Sequence, residues 1–595
     1  MTFFAGAAVA QAPAPAHTPA PDGAALFSDK CAQCHDKGVG HAPSREALGL
    51  RSPVNIKMAL LTGAMKPQGQ GLSSDDIGAI TTYLTAEAAA KAPKLTANLC
   101  AGPAAPLSLG GAGWNGWSPG HANTRFQPAP GFAAKNLGRL KVKWAFAYPG
   151  KQTWGQPVVV GGRLFVADTV DTVYALDART GCTVWTLKPG AAVRSAVSVG
   201  PGAGGKAVAY FGDMAGMVHA VDADSGAELW KTRADDHPLA RMTGSPVLAG
   251  DRLLVPVSSL EEGAASQAAY ECCTFRGAVL ALDVRTGKVL WKTKTITAPL
   301  KDYRRKGADA KLHGPAGGSV WNAPTVDLKR GRLYFGLGND YTDVDDTNTD
   351  GVMALDLKTG AKLWTRQLQA KDHWQAGCTY GTTCPDNAGP DYDFAASPIL
   401  VSLKGRDVLV AGQKSGAVFG LDPDTGKPLW RTAVGSGSIF GGIEWGMASA
   451  GGTVFAPISD SLTEAPQKPK PGLAGLDAAT GKRLWWSPAP KPVCAWGQAG
   501  CRGAHSQAVS AMPGVVFSGS HDGHLRAYDV KSGKVLWDFD TAVEVNPVNG
   551  SAARGGSLDT GGPAIAGGMV FVNSGYGQFL GQGGNVLLAL SVDGK

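Results

Sequence analysis

Ala281–Trp291 reads A-L-D-V-R-T-G-K-V-L-W, and the phrase recurs. Full copies begin at Ala175 (ALDARTGCTVW), Ala220 (AVDADSGAELW), Ala354 (ALDLKTGAKLW), Gly420 (GLDPDTGKPLW), Gly475 (GLDAATGKRLW) and Ala527 (AYDVKSGKVLW). Two halves complete the series: Leu140–Phe146 (LKVKWAF) holds the Trp end, and Leu588–Val592 (LALSV) holds the start. Recurrence every few tens of residues marks an array of similar units. In each copy the apolar run before Asp reads as a strand, D-x-x-T-G as turn chemistry, and the run ending in Trp as the next strand. Further β-rich runs precede the copies, such as Gly162–Ala167 and Arg332–Gly338. Four strands per unit is the pattern of a propeller blade. Trp144, Trp185, Trp230, Trp291, Trp364, Trp430, Trp485 and Trp537 count eight blades. The split eighth copy implies ring closure, with Leu140–Phe146 completing the blade that the C-terminus begins, so that no long strand edge is exposed. The repeated Trp is expected to dock each blade on its neighbour. The expected fold class is mainly β, an eight-bladed β-propeller, with a small all-α domain ahead of it.

The chain has 595 residues, room for more than one domain. Only 17% of residues are charged, while 82 are Gly and 38 Pro, a balance that suits a turn-rich all-β chain. The net charge of +8 is spread without a long Lys/Arg run, so nothing points to nucleic acid. No stretch is long and apolar enough to span a membrane. Met1–Ala10 (MTFFAGAAVA) resembles the tail of a secretory signal, with an A-x-A end at Ala8–Ala10 but no positive n-region. Gln11–Pro21 is Ala/Pro-rich and reads as a linker. The expected organisation is a signal remnant and linker over 1–20, a haem domain over 21–100, a Gly/Pro/Ala/Asn-rich linker over 101–139, and the propeller over 140–595.

Ten cysteines suit an oxidising compartment, here the periplasm. Closeness suggests pairing Cys378 with Cys384 and Cys494 with Cys501. Cys272 and Cys273 are adjacent, and elimination leaves Cys100 with Cys182. The sequence alone leaves the connectivity open.

Cys31-Ala32-Gln33-Cys34-His35 is the c-type haem attachment motif. Two thioethers fix the porphyrin, and His35 follows as proximal iron ligand. A zinc half-site would need a second C-x-x-C, which is missing nearby. For the other axial position the thioether candidates are Met58 and Met65, with His41 a remote third. Met58 falls in an apolar helical run, Asn55–Leu61. Met65 lies in the loop Gly63–Pro67, before a helix that starts at Ser73-Ser74-Asp75-Asp76 and carries Ile77, Ile80 and Leu84 on one stripe. Met65 is therefore preferred. His/Met ligation raises the haem potential, which suits an electron acceptor. Residues 21–100 resemble a small class I cytochrome c.

A-x-D-x-x-T-G-K-x-x-W repeated around eight blades resembles the quinoprotein alcohol dehydrogenases that bind pyrroloquinoline quinone (PQQ), over about residues 140–595. With a haem motif ahead of the propeller, the chain is most similar to the quinohaemoproteins that oxidise polyvinyl alcohol. In the better-known quinohaemoprotein alcohol dehydrogenases the cytochrome follows the propeller, so domain order is a departure. The resemblance implies PQQ, covalent haem c and Ca²⁺ as cofactors. PQQ is a flat ortho-quinone with three carboxylates. It calls for apolar faces, cations, a divalent metal and a base.

The resemblance then assigns roles. Trp321, in Gly317–Trp321 (GGSVW), stacks on the ring, and Ser319 takes a hydroxyl role. A Cys272–Cys273 disulfide covers the opposite face. In the family that pair precedes the second docking phrase, whereas here it precedes the third, and the usual slot reads Ala191-Ala192-Val193-Arg194. Arg194, Thr243 and Ser259 serve the carboxylates, with Arg276 a further cation, and Lys414 approaches the quinone carbonyls. A family Glu in the first blade falls near Trp154 and is lost or replaced. Glu262 and Asn339 hold Ca²⁺. Counting back from Ala354 places the base at Asp345, with Asp346 one residue off, in the acidic run Tyr341–Asp350, and Asp345 also borders the metal.

The implied function is oxidation of hydroxyl groups, foremost the secondary alcohols of polyvinyl alcohol, by hydride transfer to PQQ. Electrons pass singly to haem c and on to an external acceptor, a cytochrome or the respiratory chain. Two other functions stand beside it. One is a PQQ dehydrogenase for small alcohols, sugars or aldehydes, a choice set by mouth loops such as Lys301–His313 and Asp372–Asp393. The other is a non-enzymatic propeller scaffold of the outer-membrane assembly type, which would lack the haem motif, the Cys pair and the Trp321/Asn339/Asp345 series.

Overall fold

The structure is a computed structural model and describes residues 21–37, 42, 45, 48, 56–57, 59–60, 65–91, 97–305, 310–380, 383–463, 466–497, 501–550, 552–578 and 580–595. The signal and linker reading of 1–20, and Met58 and His41, lie outside the described residues. Two compact units are present, Met1–Lys91 and Ala92–Lys595. Among the described residues no helix is long and apolar enough to cross a membrane.

The first unit is helical. Asp22 caps the helix Gly23–Lys30 by accepting from the backbone N–H groups of Ala24 and Ala25, at 2.9 and 3.2 Å. The long helix Ser74–Lys91 starts with a reciprocal cap: Asp76 accepts from the Ser73 N–H at 2.8 Å, and Ser73 Oγ accepts from the Asp76 N–H at 3.1 Å. Ile77, Ile80 and Leu84 are buried on one stripe of it, as their spacing predicts. They pack with Phe27, Ile56 and Leu60.

Among its described residues the second unit holds seven sheets of four strands and one of five, all antiparallel and in chain order around a ring, plus two short two-stranded ribbons. The last blade closes the ring as the split repeat implies. Leu140–Ala147 pairs antiparallel with Val586–Val592, which pairs in turn with Met569–Ser574.

Each docking phrase folds for the reasons its residues supply. In the third blade, Asp283 Oδ1 accepts from the N–H groups of Arg285 and Thr286 and from Thr286 Oγ1, at 2.9 to 3.1 Å. The following Gly287 has φ +70°, open to glycine and costly for other residues. Seven of the eight Trp residues that end a phrase pack over the turn glycine of the next blade: Trp144 over Gly181, Trp185 over Gly226, Trp230 over Gly287, Trp291 over Gly360, Trp364 over Gly426, Trp430 over Gly481 and Trp485 over Gly533. Most of these indoles also donate to a carbonyl beside that turn, as Trp185 does to Ala223 at 2.9 Å.

A methyl group on Gly360 would lie 2.5 Å from the Trp291 ring, at φ +71°. Gly331 has a similar φ of +63° and open space around it. Gly360→Ala is therefore expected to cost about 2–4 kcal/mol through overpacking plus strain, and Gly331→Ala about 1 kcal/mol through strain alone. Unfolding midpoints of the two variants measure the difference. Equal midpoints would refute the docking role of the Trp.

Residues 101–139 are not a free linker, as their composition suggests. Their middle part is a strap bonded to all eight blades. Trp114 pairs with Val159, Asn115 with Val199 and His121 with Leu248 and Val326. Ala122 accepts from Leu400, Thr124 from Ser449, Arg125 from Ala511, and Pro130 from Gly568. Apart from the Asn115 and His121 side chains, the strap makes these bonds with backbone groups, so it needs few apolar residues of its own. Nor does the expected haem domain reach residue 100 as a compact unit. Cys100 is disulfide-bonded to Cys182 in the first blade, and Asn98 and Cys100 exchange backbone bonds with Thr183. The other three bridges are Cys272–Cys273, Cys378–Cys384 and Cys494–Cys501.

Candidate active site

A segment without regular strand structure leads into the first strand of each blade. Side chains from several of these segments converge. Gln156, Arg194, Thr243, Trp321 and Trp445 line one cavity, with Trp117 of the strap.

Trp321 is positioned by backbone zipping. Gly318 donates to the Asn339 carbonyl, Gly338 to Ser319 and Tyr341 to Ala316, each at 2.9 Å. The two segments approach this closely because glycine stands at 317, with φ +120°, where a methyl group would lie 2.4 Å from the Asn339 carbonyl oxygen. Trp445 meets Trp321 edge-on, with centroids 5.7 Å apart. The Arg194 guanidinium lies 4.6 Å from the Trp445 ring and 5.8 Å from that of Trp154. Lys414 Nζ lies 5.3 Å from the Trp321 centroid.

Lys414 is buried between two carboxylates, 3.0 Å from Asp391 Oδ2 and 2.8 Å from Asp393 Oδ2. Burial works against its charge, but Asp391 and Asp393 prevail and raise its pKa well above the usual lysine value. Asp393 Oδ1 accepts from the Asn339 N–H at 2.8 Å. Glu262 sits in the electrostatic field of this pair. Burial pushes its carboxyl up to about 7, with Asp393 adding to the rise and Lys414 and Arg241 opposing it. The neighbouring Glu261 is occupied differently, since its carboxylate accepts from the N–H groups of Thr274 and Phe275 and from the Tyr270 hydroxyl.

The expected base falls elsewhere. Asp345 is largely exposed, and its carboxylate accepts from His373 at 2.8 Å. Asp346 accepts from the Asn348 backbone and side chain at 2.7 Å. The carboxylate beside Asn339 is that of Asp393, which the count from Ala354 passes over. Arg276 is misplaced in the same way. It reaches the Pro315 carbonyl at 3.4 Å and is felt by Asp346. The second cation that faces Arg194, Glu262, Tyr341 and Tyr576 is Arg241, which burial pushes down to about 10. Its position two residues before Thr243 puts both on one side of an extended chain, a signal the sequence contains.

The hydroxyl residues are used locally. Ser319 bonds Tyr341 Oη at 2.6 Å, Thr243 bonds Ser258 at 2.7 Å, and Ser259 Oγ accepts from the Glu261 N–H at 3.1 Å. The disulfide-bonded Cys272–Cys273 is buried with Ala316 and Tyr341, and is stitched to His313 by backbone bonds of 2.6 and 3.0 Å. Trp154 stands where the first-blade Glu is missing, packed on Ala192 and Tyr576.

Buried polar atoms around this chamber with no hydrogen-bond partner among the described residues include Arg194 Nη2, Arg241 Nε, Trp154 Nε1, Trp117 Nε1, Glu444 Oε2 and Asp391 Oδ1. Orphaned donors at two arginines and two tryptophans fit an anionic, flat ligand. Among the described residues no three His, Cys, Asp or Glu side chains form a metal-holding group. Glu262, Asn339 and Asp393 offer two carboxylates and an amide, a donor set suited to a hard cation. In the helical unit, Cys31 and Cys34 are free, His35 is buried, and Met65 packs in one apolar cluster with Cys31 and Phe27. That set fits a covalent haem.

Residues 114–435 match the family described as glucose/ethanol/alcohol dehydrogenase, beta-propeller domain. Residues 18–84 match cytochrome C oxidase, cbb3-type, subunit III, and residues 348–592 match outer membrane protein assembly factor BamB. A polyvinylalcohol dehydrogenase from a Pseudomonas species is 44% identical, covering 97% of this chain and 94% of that protein. One from Sphingopyxis sp. (strain 113P3) is 41% identical, covering 96% and 93%. The solved quinohemoprotein alcohol dehydrogenase of Comamonas testosteroni shares the fold at a TM-score of 0.60 and 20% identity, covering 81% of each chain.

Proposed function

The chain belongs to the PQQ-dependent alcohol dehydrogenases, in the polyvinylalcohol dehydrogenase group, and on that premise we propose that it oxidises the secondary hydroxyls of polyvinyl alcohol to carbonyls in the periplasm. The observation that carries the site is the Asp393 carboxylate, held between the Asn339 N–H and Lys414 beside Trp321.

Trp321 would floor the cofactor ring and keep water from that face. Arg194 and Arg241 would hold its carboxylates with donors that now lack partners. Glu262, Asn339 and Asp393 would hold calcium. When bound, PQQ supplies a two-electron acceptor and calcium a Lewis acid. Asp393 is the base. Its Oδ2 lies 2.8 Å from the Lys414 ammonium, which holds the carboxylate in place to take the substrate hydroxyl proton. Cys31, Cys34 and His35 would hold the haem, which would supply a one-electron carrier toward an external acceptor. Placing both centres on one chain raises their effective concentration. Four disulfides support an oxidising compartment.

Dye-linked oxidation with PQQ and Ca²⁺ tests the substrate. Polyvinyl alcohol should be turned over faster than simple secondary alcohols or sugars, and a preference for a sugar would refute the assignment. For the haem, we assign Met65 as second axial ligand. Met65→Leu should lower the haem potential and remove the sulfur-ligand absorption, with the haem still covalently attached. An unchanged potential would exclude Met65.

A further inference from the structure

Glu444 is a buried carboxyl of the chamber that the mechanism leaves unused. It lies in the turn Gly441-Gly442-Ile443-Glu444-Trp445, next to the Trp that meets both Trp321 and Arg194. Gly442 donates to the Lys414 carbonyl at 2.6 Å, which ties this turn to the Lys414 segment. Gly441, at φ +77°, leaves the space its carboxyl occupies, since a methyl group there would lie 2.7 Å from Glu444 Oε2. The residue is only 8% exposed. No ion pair forms to it among the described residues. Lys414 is engaged by Asp391 and Asp393, and Arg194 lies over the two tryptophan rings instead.

An ionised carboxylate buried without a cation is costly, and it would repel an incoming carboxylate. A neutral carboxyl has an O–H to donate. We propose that Glu444 is a cofactor-binding residue that acts in its protonated form, donating its O–H to an oxygen of PQQ, so that in alkaline solution loading the cofactor takes up a proton. This rests on the PQQ reading of the chamber.

The charged and titratable groups facing Glu444 are Lys414, Asp559, Asp393, Arg194 and Tyr576, and Asp559 is itself paired with His521. Burial pushes the Glu444 carboxyl up to about 8. Lys414 and Arg194 oppose the rise, and Asp559 and Asp393 add to it. The group is thus mostly protonated at pH 7 and mostly ionised at pH 9, so affinity falls as pH rises through 8.

The test titrates PQQ into full-length, PQQ-free protein with Ca²⁺, followed by tryptophan quenching at pH 7 and pH 9. For the unaltered protein Kd should rise roughly tenfold between the two. For Glu444→Gln, which keeps a donor but cannot ionise, the rise attributable to this group should vanish. An equal rise in both proteins overturns the role of Glu444 and leaves the PQQ reading intact. No PQQ binding by the unaltered protein at either pH overturns the PQQ reading itself. Should Glu444→Gln fail to bind at pH 7, calorimetry of the unaltered protein at pH 8 in two buffers of different ionisation heat decides. Uptake of about half a proton supports the proposal, and none refutes it.

Discussion

Asp393→Asn should lower kcat for alcohol oxidation by roughly a thousandfold while PQQ stays bound. The amide keeps the shape of the carboxylate but cannot accept the hydroxyl proton. Its neighbours stay: Asn339 still has an acceptor for its N–H, and Lys414 keeps Asp391 at 3.0 Å. The exposed Asp345, bonded to His373, is outside this arrangement, so Asp345→Asn should leave kcat within about twofold. The pair of variants is assayed for dye-linked turnover, with bound PQQ measured by absorbance after extraction. If the two losses come out reversed, the acidic run after Asn339 holds the base and the present assignment is wrong.

That choice between aspartates shows where the sequence is informative. The docking phrase is self-contained as sequence: the Asp283 turn is local, and Gly287 and Trp291 lie within the same phrase although each docks on a neighbouring blade. The ring closure followed from the split copy for the same reason. The resemblance points to Trp321, Asn339, Glu262 and Lys414, and the structure sets Lys414 beside Trp321 and the Asn339 N–H on Asp393. Asp393 is not among them. Between Asn339 and Asp393 the chain runs through the acidic loop, a docking phrase and the loop closed by Cys378–Cys384. Only the fold brings the two side by side. Arg276 failed for a related reason: being near Cys273 in sequence, it shares the pair's neighbourhood, yet its guanidinium turns to Pro315. The strap of residues 113–131 has no periodic apolar pattern. Its Gly, Pro and Asn content reads as linker because its bonds to the blades are made mainly by backbone groups, which composition does not reveal.

The strap also sets the largest expected loss of stability, at Arg125. This arginine is fully buried, with no carboxylate in ion-pair range among the described residues. Its Nε donates to the Val509 carbonyl at 2.7 Å, and its Nη2 to Gln156 Oε1 at 2.9 Å and Ser510 Oγ at 3.0 Å. Its Nη1 donates to the Trp117 carbonyl. The guanidinium carbon lies 5.2 and 4.6 Å from the Trp114 and Trp117 rings. One planar fork thus joins the strap to the first and seventh blades, and the aromatic faces offset part of the cost of burying the charge. Arg125→Met keeps the length and apolar volume but leaves these acceptors dry and unpaired. We expect a loss of about 3–5 kcal/mol, read as a lower unfolding midpoint of the propeller. Because Trp117 and Gln156 also line the cavity, PQQ affinity should fall in the same variant. Arg125→Lys should recover only part of either loss, since one ammonium cannot reach both blades as the fork does. If Arg125→Met unfolds within about 1 kcal/mol of the parent, the eight blades hold together without this tie, and their docking tryptophans carry the ring alone.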